Sequence, residues 1–241
     1  MKLINDQMFI DLAPYLDMDS FALLEDQISY NIAKNAKNIE PSYTPHSTLL
    51  NKELPGYLEE RETYKKTLPE FGPAEINWYT KLKGTSTLGT HLLLRGNKGY
   101  PSTYGHKHLS EHSVNMASYG DFDFLFKWIE DQGCFDEYGR TMFWINEPNQ
   151  ITAMHTDYGN PNLDKRDPFI WLTGRYAKKI LLRDDSSTII HESNSRAMVF
   201  NTVNWHCSKG HSDFISWSLR VDGKFNAEWA ERVGIKEYYG L

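Results

Sequence analysis

Residues 197–223 read AMVFNTVNWHCSKGHSDFISWSLRVDG. Two apolar runs, AMVFNTV and FISWSLRVDG, flank a polar turn, SKGHS. In a strand, side chains alternate between faces. The second run then puts Ser216, Ser218 and Arg220 on one face and Trp217, Leu219 and Val221 on the other. Working upstream, runs of the same texture recur: RTMFWIN from 140, QITAMHTDY from 150, PFIWLTG from 168, AKKILLRD from 177 and STIIHES from 187. Turn-forming segments such as EPN, GNPN, RDDSS and SNS separate them. About seven short strands with frequent turns predict a closed or sandwiched all-β core.

The chain ahead of this core has a different pattern. Phe21, Leu24, Ile28 and Ile32 recur at helical spacing after a cap at Asp19 or Ser20. Residues 38–75 carry several prolines and many charges, predicting loop and short helix. INWYTKL near 76–82 and THLLLRG at 90–96 predict strands, and 97–120 a long surface excursion. A second helix follows, with Asp121 as cap, Phe122, Leu125, Phe126 and Ile129 on one face, and Gly133 as stop. After Asn226, AEWAERV predicts a last short helix ended by Gly234. The expected plan is one domain over 1–241: an N-terminal helical and loop layer with early strands (1–139), a β-barrel core (140–223) and a C-terminal helix (224–241).

Composition narrows the function classes. The 241 residues include 26 basic and 32 acidic side chains, a net charge of −6. That argues against nucleic acid and against an anionic membrane surface, both of which favour a basic face. No apolar run approaches the ~20 residues of a membrane-spanning helix. The opening MKLINDQMFIDLAP has acids where a signal peptide has its apolar centre. Cys134 and Cys207 are the only cysteines, so a cytoplasmic location is the expectation. Aromatic residues make up 14% of the chain, and there are nine histidines.

Three residues have the spacing of a metal site. His155 and Asp157 are two apart in a strand-like run, so their side chains share a face. His206 follows 51 residues after His155, at the end of another apolar run. Two imidazoles and one carboxylate suit non-haem Fe(II) and leave coordination positions open. Fourteen residues after His206 comes Arg220, whose guanidinium on an inward face needs an anion. Ser218 shares that face. Trp144 and Asn146 share a face just upstream of the HTD segment and are candidates for lining the same pocket.

The set HTD, a distal His and a late Arg resembles the Fe(II)/2-oxoglutarate-dependent dioxygenases, with a looser likeness to the aspartyl/asparaginyl β-hydroxylase and free-proline hydroxylase branch. The likeness covers about residues 140–223. It implies a double-stranded β-helix, a jelly-roll or cupin-like barrel that is mainly β with flanking helices (α+β). It implies His155, Asp157 and His206 as iron ligands. It also implies Arg220, helped by Ser218, as the partner of the distal carboxylate of 2-oxoglutarate. The expected activity uses Fe(II), 2-oxoglutarate and O2 to hydroxylate a small molecule or a peptide residue. Related halogenases carry a small residue where Asp157 stands, so hydroxylation is expected. The alternatives are a cupin-like metalloenzyme that works without 2-oxoglutarate and a non-enzymatic barrel binding module.

Other polar residues are expected to be ordinary. His106, His108 and His112 share no single element and suit a solvated loop. His191 and His211 have no ligand-like spacing, and Cys207 should point away from a metal at His206. Arg175, Arg183 and Arg196 are expected at the solvent, where one of them can anchor a substrate carboxylate.

Overall fold

The computed structural model describes residues 8–43, 87–97, 109–152, 169–176, 178–183, 190–202 and 204–235. In chain order the elements are β1 (Phe9–Asp11), α1 (Met18–Lys34), β2 (Ile39–Tyr43), β3 (Thr87–Asn97), β4 (Ser113–Asn115), α2 (Asp123–Asp131), β5 (Phe135–Asn146), β6 (Phe169–Thr173), β7 (Lys179–Arg183), β8 (His191–Ser193), β9 (Ala197–Phe200), β10 (Trp205–Lys209), β11 (Ser216–Phe225) and α3 (Ala227–Arg232).

All strand pairs are antiparallel. The larger sheet has the order β1-β9-β6-β11-β5-β3-β2, with β4 added beside β3, and the smaller has β10-β7-β8. Ile151 extends the smaller sheet through a bridge to Lys209 of β10. From β5 onward the chain switches repeatedly between layers. β5, β6, β9 and β11 lie in the larger sheet, and Ile151, β7, β8 and β10 in the smaller. This winding is a double-stranded β-helix of the jelly-roll type.

The two faces of the larger sheet differ sharply. Trp217, Leu219 and Val221 of β11 and Phe143 and Ile145 of β5 bury against Phe21 and Ile28 of α1 and Leu125 and Trp128 of α2. Aromatic edges organise this core: Phe143 meets Trp217 at 5.4 Å between centroids, and Phe21 meets Trp128 at 4.8 Å. The opposite face meets β7, where Phe169, Trp171, Met198 and Phe200 pack with Ile180 and Leu182. That second cluster is the barrel interior.

Local chemistry explains where the elements start and stop, and it corrects several expectations. The cap of α1 is Asp17, not Asp19 or Ser20. Its carboxylate accepts from Ser20 N at 3.0 Å and from Ser20 Oγ at 2.6 Å. Asp121 caps no helix, because Lys34 Nζ (2.6 Å) and Asn35 Nδ2 (2.9 Å) hold its carboxylate. A 3-10 turn, Tyr119–Phe122, intervenes before α2. Ile39–Tyr43 is a strand where loop and short helix were expected. It contains Pro41, which the sheet tolerates because β2 is an edge strand. Ser113–Asn115 likewise pairs with β3 and is not a free excursion. β5 begins at Phe135, ahead of the expected core boundary at 140. Gly133 and Gly234 both take positive φ, +61° and +77°, just past α2 and α3. The predicted strand at 76–82 and residues 98–108 lie outside the described residues. No helix among the described residues is long and apolar enough to cross a membrane.

Candidate functional site

Directly paired residues in an antiparallel sheet point to the same face. On β11, Ser216 pairs with Asn146; Ser218 with Trp144 and Thr173; Arg220 with Met142 and Trp171; and Asp222 with Phe169. Phe169 and Trp171 belong to the interior cluster, so all four rows face into the barrel. From the smaller sheet, His206 pairs with Leu182 and Ser208 with Ile180, which turns both polar side chains to the same interior. The structure thus brings His206, Arg220, Ser218, Trp144 and Asn146 onto facing walls. His155 and Asp157 lie outside the described residues. The described chain reaches that segment through Thr152, which is tied to β10 by Thr152 N to Ser208 O (2.9 Å) and Ser208 N to Thr152 Oγ1 (2.8 Å).

His206 does not end an apolar run as expected. β9 stops at Phe200, and His206 is the second residue of a separate strand. It is 7% exposed, and its Nδ1 lies 2.9 Å from the carbonyl oxygen of Asn204. A carbonyl only accepts, so Nδ1 carries the proton, and in a neutral ring the lone pair is then on Nε2. Metal-bound histidines are commonly oriented by such a bond from the far ring nitrogen. The ring packs 5.5 Å from that of Phe200, which links it to the interior cluster. Cys207, next along β10, faces the other way, into a small cluster with Ile151 and Leu181.

Arg220 has a partner that the sequence expectation omitted. Its Nε donates to Asp222 Oδ1 at 3.0 Å, and Asp222 Oδ2 accepts from Arg140 Nε at 2.8 Å. Nη2 of Arg220 is also 3.0 Å from Oδ1, but its angle makes no hydrogen bond. The guanidinium lies over the Phe169 ring, 4.0 Å from its centroid. Two arginines therefore share one fully buried carboxylate at this wall.

The interior also holds polar atoms without hydrogen-bond partners. Ser218 Oγ, Thr173 Oγ1, Trp144 Nε1, Trp171 Nε1 and Asn146 Oδ1 are buried and unpartnered among the described residues. An unsatisfied buried group costs about 1–3 kcal/mol. Five on the inward face of one barrel mark a wall able to meet a polar occupant.

Lys178 was missed at sequence level. It precedes Lys179, alternates with Ile180 and Leu182, and is 2% exposed. Its Nζ sits 5.2 Å from the centroid of the Trp171 ring. Burial pushes its amine well below the ordinary lysine value. The signal was present in AKKILLRD, where alternation sets one lysine on the inward face.

The remaining polar residues lie elsewhere. Arg175 and Arg196 are not free at the solvent: both clamp buried Glu25 of α1, Arg175 at 3.1 Å. Arg183 is buried, with its guanidinium 5.1 Å from the centroid of the Trp205 ring. His191 is exposed. His211 packs with Tyr176 and Phe214. His112 lies beside Glu111, and His106 and His108 lie outside the described residues.

No family model matches the chain. No curated protein matches it by sequence. Solved structures do resemble it. An oxidoreductase of the 2OG-Fe(II) oxygenase family from Burkholderia pseudomallei is 12% identical, covering 57% of this chain and 70% of its own, with a TM-score of 0.36. A prolyl-4-hydroxylase from Pseudomonas putida is 11% identical over 83% of this chain and 98% of its own, with a TM-score of 0.32. A cupin 2 barrel protein from Salinispora arenicola is 12% identical over 40% and 71%, with a TM-score of 0.24. At these values the likenesses assign no chemistry. The fold itself rests on the strand order.

Proposed function

We propose that the chain is a non-haem Fe(II)- and 2-oxoglutarate-dependent oxygenase that hydroxylates a small molecule, such as an amino acid, or a residue in a peptide. The observation that carries this is the convergence, on facing walls of one barrel, of a buried imidazole oriented through its Nδ1, a buried guanidinium and a row of unpartnered polar atoms. His206, with His155 and Asp157 from the segment after Thr152, would hold the metal. Bound Fe(II) and 2-oxoglutarate together supply an oxidant drawn from O2 that can hydroxylate a C–H bond. The protein's own residues position and exclude. Asn204 fixes the His206 ring through Nδ1. Arg140 holds Asp222, which in turn fixes Arg220 at the barrel wall. Ser218 Oγ and Trp144 Nε1 offer donors to a carboxylate or keto oxygen. Phe169, Trp171 and Phe200 give the barrel interior an apolar lining that excludes water.

Anaerobic titration of the protein with Fe(II), then with 2-oxoglutarate, tests this. A weak visible band that needs both, together with succinate formed in air, is the expected result. Iron binding without any response to 2-oxoglutarate would favour the cupin-like metalloenzyme. One observation supports that second reading: Arg220 already has a carboxylate partner in Asp222. Absence of metal binding would leave a barrel binding module.

A further inference from the structure

We infer that the outward face of α1 is a self-association surface, on which a second copy of this chain packs its own α1 antiparallel about a two-fold axis. One side of α1 is in the core, through Phe21, Ile28 and Ile32. On the opposite side Asp19, Leu23, Tyr30 and Lys34 follow at helical spacing and form one stripe. It carries the two most exposed large apolar side chains among the described residues, Leu23 at 85% and Tyr30 at 69%. Asp26 and Gln27, both exposed, lie midway between them. This order is its own complement. Turned end for end about an axis at Asp26 and Gln27, Leu23 meets Tyr30 of the second copy, and Asp19 meets its Lys34. Each match occurs twice, as an isologous contact requires. A parallel arrangement would instead set Asp19 against Asp19 and Lys34 against Lys34. The ammonium of Lys34 lies 2.6 Å from Asp121 but is half exposed, so two of its donors can meet a further carboxylate. Asp26, next to the axis, is already paired with Arg175 at 2.8 Å, so the axis brings no unpaired acids together.

The apolar surface continues past one side of the stripe. Arg175 reaches α1 through Asp26, and Trp217 Nε1 donates to Ser29 Oγ, which places the ends of β6 and β11 beside the helix. There Tyr176 and Phe214 stack at 4.3 Å, and both are exposed, as is Ile215. An axis that crosses the two helices keeps this flank on the same side in both copies, so the two aromatic clusters adjoin. The five large side chains expose on the order of 500 Å² of apolar surface, in the upper range for a monomer. The polar rim brings this towards the ~800 Å² per partner of a standard interface.

Analytical ultracentrifugation of the full chain over a concentration series tests this, and it needs neither iron nor the proposed activity. A monomer–dimer equilibrium with a micromolar Kd is expected. Added salt should weaken it several-fold, by screening the two Asp19–Lys34 contacts. Leu23→Asp should weaken it by about tenfold or more, with an unchanged Tm, because that side chain lies at the solvent. Tyr30→Ser is the second variant, with a similar loss expected. Cross-linking under mild oxidation fixes the register, since Cys134 and Cys207 are buried. Gln27→Cys, beside the axis, should link to its own copy. Leu23→Cys alone should not, whereas Leu23→Cys mixed with Tyr30→Cys should. A chain that stays monomeric throughout the series would overturn the inference. Association indifferent to both Leu23→Asp and Tyr30→Ser would put the contact on another surface, and ready self-linking of Leu23→Cys would make the helices parallel; either result overturns it too.

Discussion

The two faces of the larger sheet use the same strands for opposite ends. On the helix-covered face of β11, Trp217, Leu219 and Val221 are packed among apolar neighbours. The indole N–H of Trp217 is satisfied by Ser29 Oγ at 3.1 Å. On the barrel face, one residue away in each case, Ser218 and Arg220 face Trp144, Thr173 and Trp171, and several polar atoms go unpartnered. Stability is concentrated on one face. The other keeps unsatisfied groups that a ligand can satisfy, a division expected where a rigid scaffold holds a site.

The largest effect should come from the packed face. Phe143→Ala removes a fully buried ring that contacts Phe122 and Trp217. Denaturant unfolding should show a loss of about 3–5 kcal/mol. A loss below 1 kcal/mol would mean that this face is not the structural one.

Next comes the turn joining the two layers. A Cβ at Gly210 would lie 2.7 Å from the backbone oxygen of Glu147 and 3.1 Å from Asn146 Cβ. Backbone cannot swing aside, so Gly210→Ala should cost about 1–3 kcal/mol in the same assay.

The barrel face should respond with the opposite sign. Thr173→Val removes an unpartnered buried hydroxyl at nearly constant volume. Thermal unfolding should show a change of about 0–1 kcal/mol, neutral or stabilising. A marked loss of stability would show that the hydroxyl has a structural partner and would erase the contrast between the faces.

The smallest effect is a pH slope. With its amine held below the ordinary value, folded Lys178 binds fewer protons than the unfolded chain up to the ordinary lysine value of 10.5. Unfolding free energy should therefore rise with pH in the window between the lowered value and 10.5. Comparing the parent with Lys178→Met between pH 7 and 9.5 isolates this contribution, and the variant should show the shallower rise. Identical slopes would mean that the amine is charged in the folded protein.

Much of the barrel was legible because its strands obey a period of two. FISWSLRVDG separates cleanly into a polar and an apolar face, and the register bears out both. The helix caps were less legible, since several acids crowd each helix start and only geometry selects Asp17 over Asp19. β2 was hidden by its proline and charges, which an edge strand accepts. At the candidate site, Arg220 was found by alternation, but its neutralisation by Asp222 was overlooked although both residues share a face. Lys178 escaped because a lysine beside a second lysine reads as solvent-exposed, although the alternation of AKKILLRD turns one of the two inward.

β1 is hydrogen-bonded to β9, with Phe9 opposite Phe200, and Glu25 of α1 is clamped by Arg175 and Arg196. The earliest strand and helix in the described chain thus find these partners among residues that leave the ribosome much later. During synthesis, among the described residues, the apolar face of α1 has no native cover until α2 has emerged, and the edge of β1 none until β9 has. Contacts this distant in sequence also delay folding of the complete chain, towards the milliseconds-to-seconds range of β-rich topologies. In that interval the nascent protein presents unprotected apolar surface, and it is then that a chaperone has most to offer it.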